Sequence, residues 1–490
     1  VLNSGSDLLG GGMLASDSDI LILSAGKFVN GHYGGSISAG GSVIIGKAGK
    51  DNAVEAISQF ESVAGDITSE FGNIVIIADQ LGTTKATNFV ASLGDIYITA
   101  EDSNAWQGGL DAGQGLVSFS LAKGDIKLDR GATAHDIQLI APNSIVTRDN
   151  DSSDLRAENN VLIAGSVDKN GVLGRVTSFL VESDIIAKDG GVAIAANTIA
   201  TPHSITGGAG GIGLDAKIIS LVGDIETTGG DLRLIGDTSV SFTQALVING
   251  RIVAQSADIS MSKQADLTAS GSVVMMGGLD ADGNLLRSDE IASANASVTS
   301  QNGDVIFASD NIEIVDVIAG AGNVVIESDT LLINDVASTK GTTFIQANDS
   351  VVLNGAMASG KSIEIVTSDF FTKALRGDDN TISAVNNVII AGGFDDDDGN
   401  VVRAERVSTK RDILSTKGSI SIAGNTTNIG SMTAAKGTAH VDTAKGALSA
   451  VTAQSAFLKS DDTLALKKDI TVTEGIVVFG KNLDISGDDW

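Results

Sequence analysis

The chain has 490 residues with no cysteine, only 2 prolines, 59 glycines and a formal net charge of −29. That balance excludes disulfides and thiolate metal sites. It argues against nucleic acid as a partner, because phosphates need clustered lysine and arginine. No run reaches 18 apolar residues, so no membrane-spanning helix is expected.

A faint strand-like run, VIIGK, begins at Val43, and Gly72 opens another, NIVIIA. Around them Gly-Asp or Gly-Asn recurs before a β-branched residue, at Gly65-Asp66-Ile67, Gly72-Asn73-Ile74, Gly94-Asp95-Ile96 and Gly124-Asp125-Ile126. Three to six residues of alternating character come after each, as in IYITA and IKLD. Alternation marks strands, and the Gly/Asp/Asn clusters mark the turns between them. The segment EDSNAWQGGLD (101–111) sets an aromatic among acids, and Trp106 is a candidate glycan contact.

Val161 begins VLIAG and Gly191 begins a second run with VAIAA. Between them GSVDKNGVLGR (165–175) carries Asp168, Asn170 and Gly171, with Arg175 at its end. Gly208-x-Gly210-x-x-Gly213 fits a dinucleotide-binding pattern on paper. The next residues, LDAKIISLVGDIE, read as strands, so a turn or loop is the better reading.

The same long pattern returns at Val273 (VVMMG) and Gly303 (DVIFA), and again at Val388 (VIIAG) and Gly418 (SISIA). Its inserts are GGLDADGNLLR (277–287), with Asp280, Asp282, Gly283 and Arg287, and GGFDDDDGNVVR (392–403), with Asp396, Asp398, Gly399 and Arg403. The three strong starts are 112 and 115 residues apart, from 161 to 273 to 388, and the faint start at Val43 precedes them by 118. Internal repetition on this scale means stacked units, here roughly 43–160, 161–272, 273–387 and 388–490. Strong strands fall 19–22 residues apart, at Val305, Val324, Phe344 and Ile363, which is the length of one coil of a parallel β-helix.

The expected fold is therefore all-β: a parallel β-helix (β-solenoid) of about 20 residues per coil. One continuous solenoid is expected over 1–490, with hairpins projecting at the long period. About 24 coils at about 4.8 Å each give a rod of about 115 Å. Aromatics make up only 4% of the chain. This suits a narrow core of stacked Val, Ile, Leu and Ala into which large rings fit poorly. The inward positions should include Ile74, Ile76, Ile96, Ile98, Val305 and Ile420. The chain begins at Val1 with no signal peptide, as expected of a mature product or a segment of a longer protein.

The phrases GDITSEFGNIVIIA, GDIYITA, GDIETTGGDLRLIG and STKGSISIAGN resemble the repeats of large bacterial exoproteins of the filamentous-haemagglutinin type. The resemblance covers most of the chain as a pattern. It implies a secreted, cell-surface, right-handed parallel β-helix, most often an adhesin. The Asn-Pro-rich secretion signature of that family's amino-terminal domain is missing here.

The Asp-x-Asp/Asn-Gly loops have two readings. In one, Asp168, Asp280, Asp282, Asp396 and Asp398 hold Ca²⁺. Their ligand set is incomplete, because Thr177, Asp289 and Glu405 stand where the twelfth, bidentate position of a calcium loop falls. In the other, the residues simply make the turn of a hairpin, with the repeated arginine pairing to a turn carboxylate. Arg376-Gly377-Asp378 is an integrin-type tripeptide. Thr147-Arg148-Asp149 holds the matching place before Val161, so its Arg–Asp pair belongs to the repeat. His32, His135, His203 and His440 show no metal-binding spacing.

A β-helix enzyme acting on polysaccharide would break the repeat with aromatic loops, and this chain has only Trp106, Trp490, Tyr33 and Tyr97 beyond phenylalanine. The expectation is an extracellular structural or adhesive rod of a bacterial cell surface, without catalytic residues or a required cofactor. Its partners would be other copies of itself, a continuing chain, or a host-surface or glycan ligand. A self-assembling filament or layer subunit is the second expectation.

Overall fold

A computed structural model describes residues 1–9, 13–30, 35–50, 53–62, 65–83, 87–105, 108–147, 154–201, 203–293, 295–373, 381–394 and 401–486. Contacts divide the chain into two compact units. One is 1–240 with 248–250, and the other is 241–247 with 251–490. Among the described residues there are strands and turns and no helix. Both units are parallel β-solenoids with turns of about 21 residues.

Strand pairing in each unit runs from one coil to the next. In the first, Ile74 pairs with Ile96 and Ile96 with Val117. In the second, Val305 pairs with Val324, Val324 with Thr343 and Thr343 with Ile363. The residue in that row is thus Thr343 and not Phe344, which the spacing alone suggested. A slip of one residue reverses the face of a strand, so Phe344 points outward while Thr343 is fully buried.

The Gly-Asp/Asn period has a physical cause. At the corners of Asp66, Asn73, Asp95, Asp304 and Asn323 the side-chain oxygen accepts the backbone N–H of the next coil. Asp95 N–H donates to Asn73 Oδ1 at 2.9 Å, and Leu116 N–H to Asp95 Oδ1 at 2.8 Å. The second unit repeats the device, with Asn323 N–H on Asp304 Oδ1 at 2.7 Å and Thr342 N–H on Asn323 Oδ1 at 2.9 Å. These bonds satisfy backbone donors at the corners, where the strand ladder is interrupted. The preceding glycines stack. A Cβ on Gly94 would stand 2.0 Å from the carbonyl oxygen of Gly72, and one on Gly341 would stand 2.2 Å from that of Gly322.

Three inward rows fill each coil. In the second unit one row is Val305, Val324, Thr343 and Ile363. Another is Ile312, Leu331, Val351 and Phe370, and the third is Val317, Val336, Met357 and Ile382. The six residues assigned inward from the alternation pattern are all fully buried. The expectation that rings fit poorly is corrected: Phe28, Phe60, Phe89, Phe119, Phe307 and Phe370 are fully buried. Phe28 and Phe60 pair in adjacent coils with ring centroids 5.9 Å apart, and Phe89 meets Phe60 edge-on at 6.2 Å. Phe307 and Phe370 instead pack between aliphatic neighbours, Met275 with Ile326 and Val351 with Val407.

Candidate contact surface on the projecting arms

In four coils the first residue pairs 31 or 32 positions on, Val43 with Ile74, Val161 with Val192, Val273 with Val305 and Val388 with Ile420. The last three share one design. The extra residues leave the solenoid as antiparallel hairpins. Val167 pairs with Leu173, Leu279 with Leu285, and Phe394 with Val401. Each hairpin, here called an arm, enters at a glycine. A Cβ on Gly165, Gly277 or Gly392 would lie 2.2–2.5 Å from the carbonyl oxygen of Arg175, Arg287 or Arg403. Only glycine lets the outgoing and returning chains pass this close.

The tips of the first two arms are stapled by their own aspartates. Asp168 Oδ1 accepts the N–H groups of Asn170 and Val172, both at 2.8 Å. Asp280 Oδ1 accepts those of Asp282 at 2.9 Å and Asn284 at 2.8 Å, and its Oδ2 accepts the Asn284 amide at 2.9 Å. The Asn284 bonds, side chain first, hold the Asp280 carboxyl below the usual carboxylate range. Gly171 and Gly283 come next with φ of +80° and +84°, angles that favour glycine. This is the hairpin geometry the loops suggested, and it directs carboxylate oxygens into the turn. Asp282 is exposed beside it. Among the described residues no three His, Asp or Glu side chains are grouped to hold a metal ion. Asp396 and Asp398 lie outside the described residues, as do Trp106, Arg376, Gly377 and Asp378.

Among the described residues the arginines pair with no turn carboxylate. They reach along the solenoid to later coils. Arg175 binds Asp215, its Nε 2.9 Å from Oδ1, and Asp237, its Nη2 2.8 Å from Oδ1. Arg287 Nη1 lies 2.7 Å from Asp329 Oδ1, and Arg403 binds both Asp442 and Asp461. The arginine side chains are only 17–26% exposed. Their bonds hold Asp237 and Asp461 below the usual carboxylate range. A guanidinium offers several donors in a fixed fork and so clasps two carboxylates at once. The arginine thus clamps the base of its arm to the framework.

A fourth hairpin lacks the sequence marks of the other three. Lys47 pairs with Glu55 and Ala48 with Val54, antiparallel, in the faint repeat. The Gly49-Lys50-Asp51-Asn52 cluster is its only signal, since it has neither the Asp-x-Asp/Asn-Gly tip nor the exit arginine.

All three arms expose apolar side chains: Val167 and Val172, Leu279 and Leu286, Phe394 and Val402. Beside the third arm lies an open cleft of about 550 Å³ lined by Phe344, Gln346, Glu364, Val366, Phe394 and Glu405, among others. Burial pushes the Glu364 carboxyl up. Elsewhere, the Gly208–Gly213 pattern leads into the strand Gly211–Leu221 and not into a helix. His440 is half-buried against Phe457, with ring centroids 5.1 Å apart, and desolvation lowers its pKa. No helix among the described residues is long and apolar enough to cross a membrane. No known protein family matches the chain, and neither a curated protein nor a solved structure is significantly similar to it.

Proposed function

We propose that this chain is an extracellular structural and adhesive protein of a bacterial cell surface, similar in kind to the filamentous-haemagglutinin-type exoproteins, which acts through contact and not catalysis. The observation that carries the reading is the repeated arm. Three copies share a glycine entry, an apolar cross-strand pair and an arginine clasp, while the tips differ. Apolar side chains exposed together on a projecting element suit a contact site. Binding of the labelled protein to host-cell or particle surfaces tests the reading. Loss of attachment when all three arms are shortened to Gly-Asn turns supports it, and undiminished attachment overturns it.

A second reading is assembly into a filament or layer, in which the exposed apolar residues of the arms, such as Val172, Leu279 and Phe394, pack on another copy. Electron microscopy with and without millimolar calcium separates the readings. Separate particles in both conditions favour adhesion, filaments favour assembly, and filaments only with calcium assign a switch to the acidic tips.

A further inference from the structure

The cleft beside the third arm differs in chemistry from the matching place beside the first. Thr343, Ile363 and Val388 stack there as Val117, Ile137 and Val161 do in the first repeat. In this common frame Phe344 replaces Ser118, Glu364 replaces Gln138, Phe394 replaces Val167 and Glu405 replaces Thr177. The third copy therefore gains two rings and two carboxylates on an unchanged backbone plan.

Among the described residues neither carboxylate is joined to a cation. Arg403 also lines the cleft, but its guanidinium is committed to Asp442 and Asp461. Glu364 pairs with no cation among the described residues, and burial alone disfavours its charged form. The cleft joins an unpaired acidic wall to apolar Phe344, Val366 and Phe394. Rings of this kind cover the methylene stem of a long cationic side chain and attract its charge.

We propose that this cleft binds a lysine or arginine side chain, with an apolar neighbour, presented by a partner protein. The cation neutralises Glu364 and Glu405, and the apolar neighbour packs on Phe344 and Phe394. This deepens the adhesive reading and rests on it, by assigning one contact of the arm-bearing surface.

The test is fluorescence anisotropy with a labelled peptide of alternating lysine and leucine, at about 0.15 M ionic strength to screen diffuse attraction. Glu364→Gln and Phe344→Ala are compared with the wild type and with Glu226→Gln, an exposed acid of the first unit. Both cleft positions face outward, and cooperative thermal melts at or above the wild-type midpoint for Glu364→Gln, with native-like far-UV spectra for both, establish that the variants fold. The expected result is binding weakened about fivefold or more by each cleft variant and unaltered by Glu226→Gln. Equal binding by all four proteins, or none by the wild type, overturns the proposal. So does an oligosaccharide panel that binds the wild type and loses affinity in Phe344→Ala while the peptide discriminates nothing. A failed cleft leaves the arm-shortening assay free to succeed, so the two readings fail separately.

Discussion

A buried position in a stacked row tolerates apolar volume and little else. Ile98 and Val305 are fully buried with like residues above and below. Ile98→Asp or Val305→Asp places an unpaired charge in the row, a loss of several kcal/mol, about 4 or more, that unfolds neighbouring coils together. Calorimetry should show a large fall in Tm, and an unchanged melt would refute the inward assignment. Thr343 is the converse case. Its hydroxyl is buried with no hydrogen-bond partner among the described residues. Thr343→Val removes an unsatisfied group at nearly constant volume, and urea unfolding should show a gain of about 1 kcal/mol. Alternation predicted the row but misplaced this member, because Phe344 is the stronger apolar signal and only pairing to Val325 reveals that it faces out. Glu364 gives a pH dependence. Burial raises its folded-state pKa, so the neutral form is favoured in the fold, and stability present below the unfolded pKa is lost as pH rises through the folded one. Glu364→Gln should therefore gain stability over the wild type as pH rises from below the ordinary glutamate value of about 4.3 toward neutrality. A gap that narrows with rising pH would contradict the burial.

The arms show what an element's sequence can and cannot reveal. Their existence was legible, because Asp168-x-Asn170-Gly171 and Asp280-x-Asp282-Gly283 are turn signals bounded by apolar residues at a fixed offset in the repeat. The clasp was not legible. Asp215 and Asp237 lie 40 and 62 residues after Arg175, and only the stacking of coils brings them to it. The cleft was hidden for the same reason, since Phe344 pairs with Glu364 and Glu364 with Ile389 from coil to coil, and Phe394 joins them from the arm. The clasp's role is local. Arg175→Met keeps the aliphatic stem and removes the fork, at a cost of about 1–2 kcal/mol for a half-buried charged pair. Hydrogen exchange should accelerate in 166–174 and stay unchanged in Ile74–Thr83. Equal acceleration in both would mean that the arginine supports the whole ladder and not its arm.

For the molecule as a whole, charge and surface oppose each other. A net charge of −29 repels other copies, whereas the arms expose apolar side chains such as Val172, Leu279, Leu286 and Phe394. Repulsion between exposed charges is screened by salt, with a Debye length of about 10 Å at 0.1 M and about 3 Å at 1 M. Apolar association is not weakened in this way. If the arms pack on another copy, sedimentation velocity should show larger species as NaCl rises. The double variant Leu279→Lys with Leu286→Lys should remain monomeric, since the contact would bury two unpaired ammonium groups. Growth that persists in the variant moves the contact to another surface. A wild type that stays monomeric at every salt concentration removes the assembly reading and leaves the arms to act singly on a foreign partner.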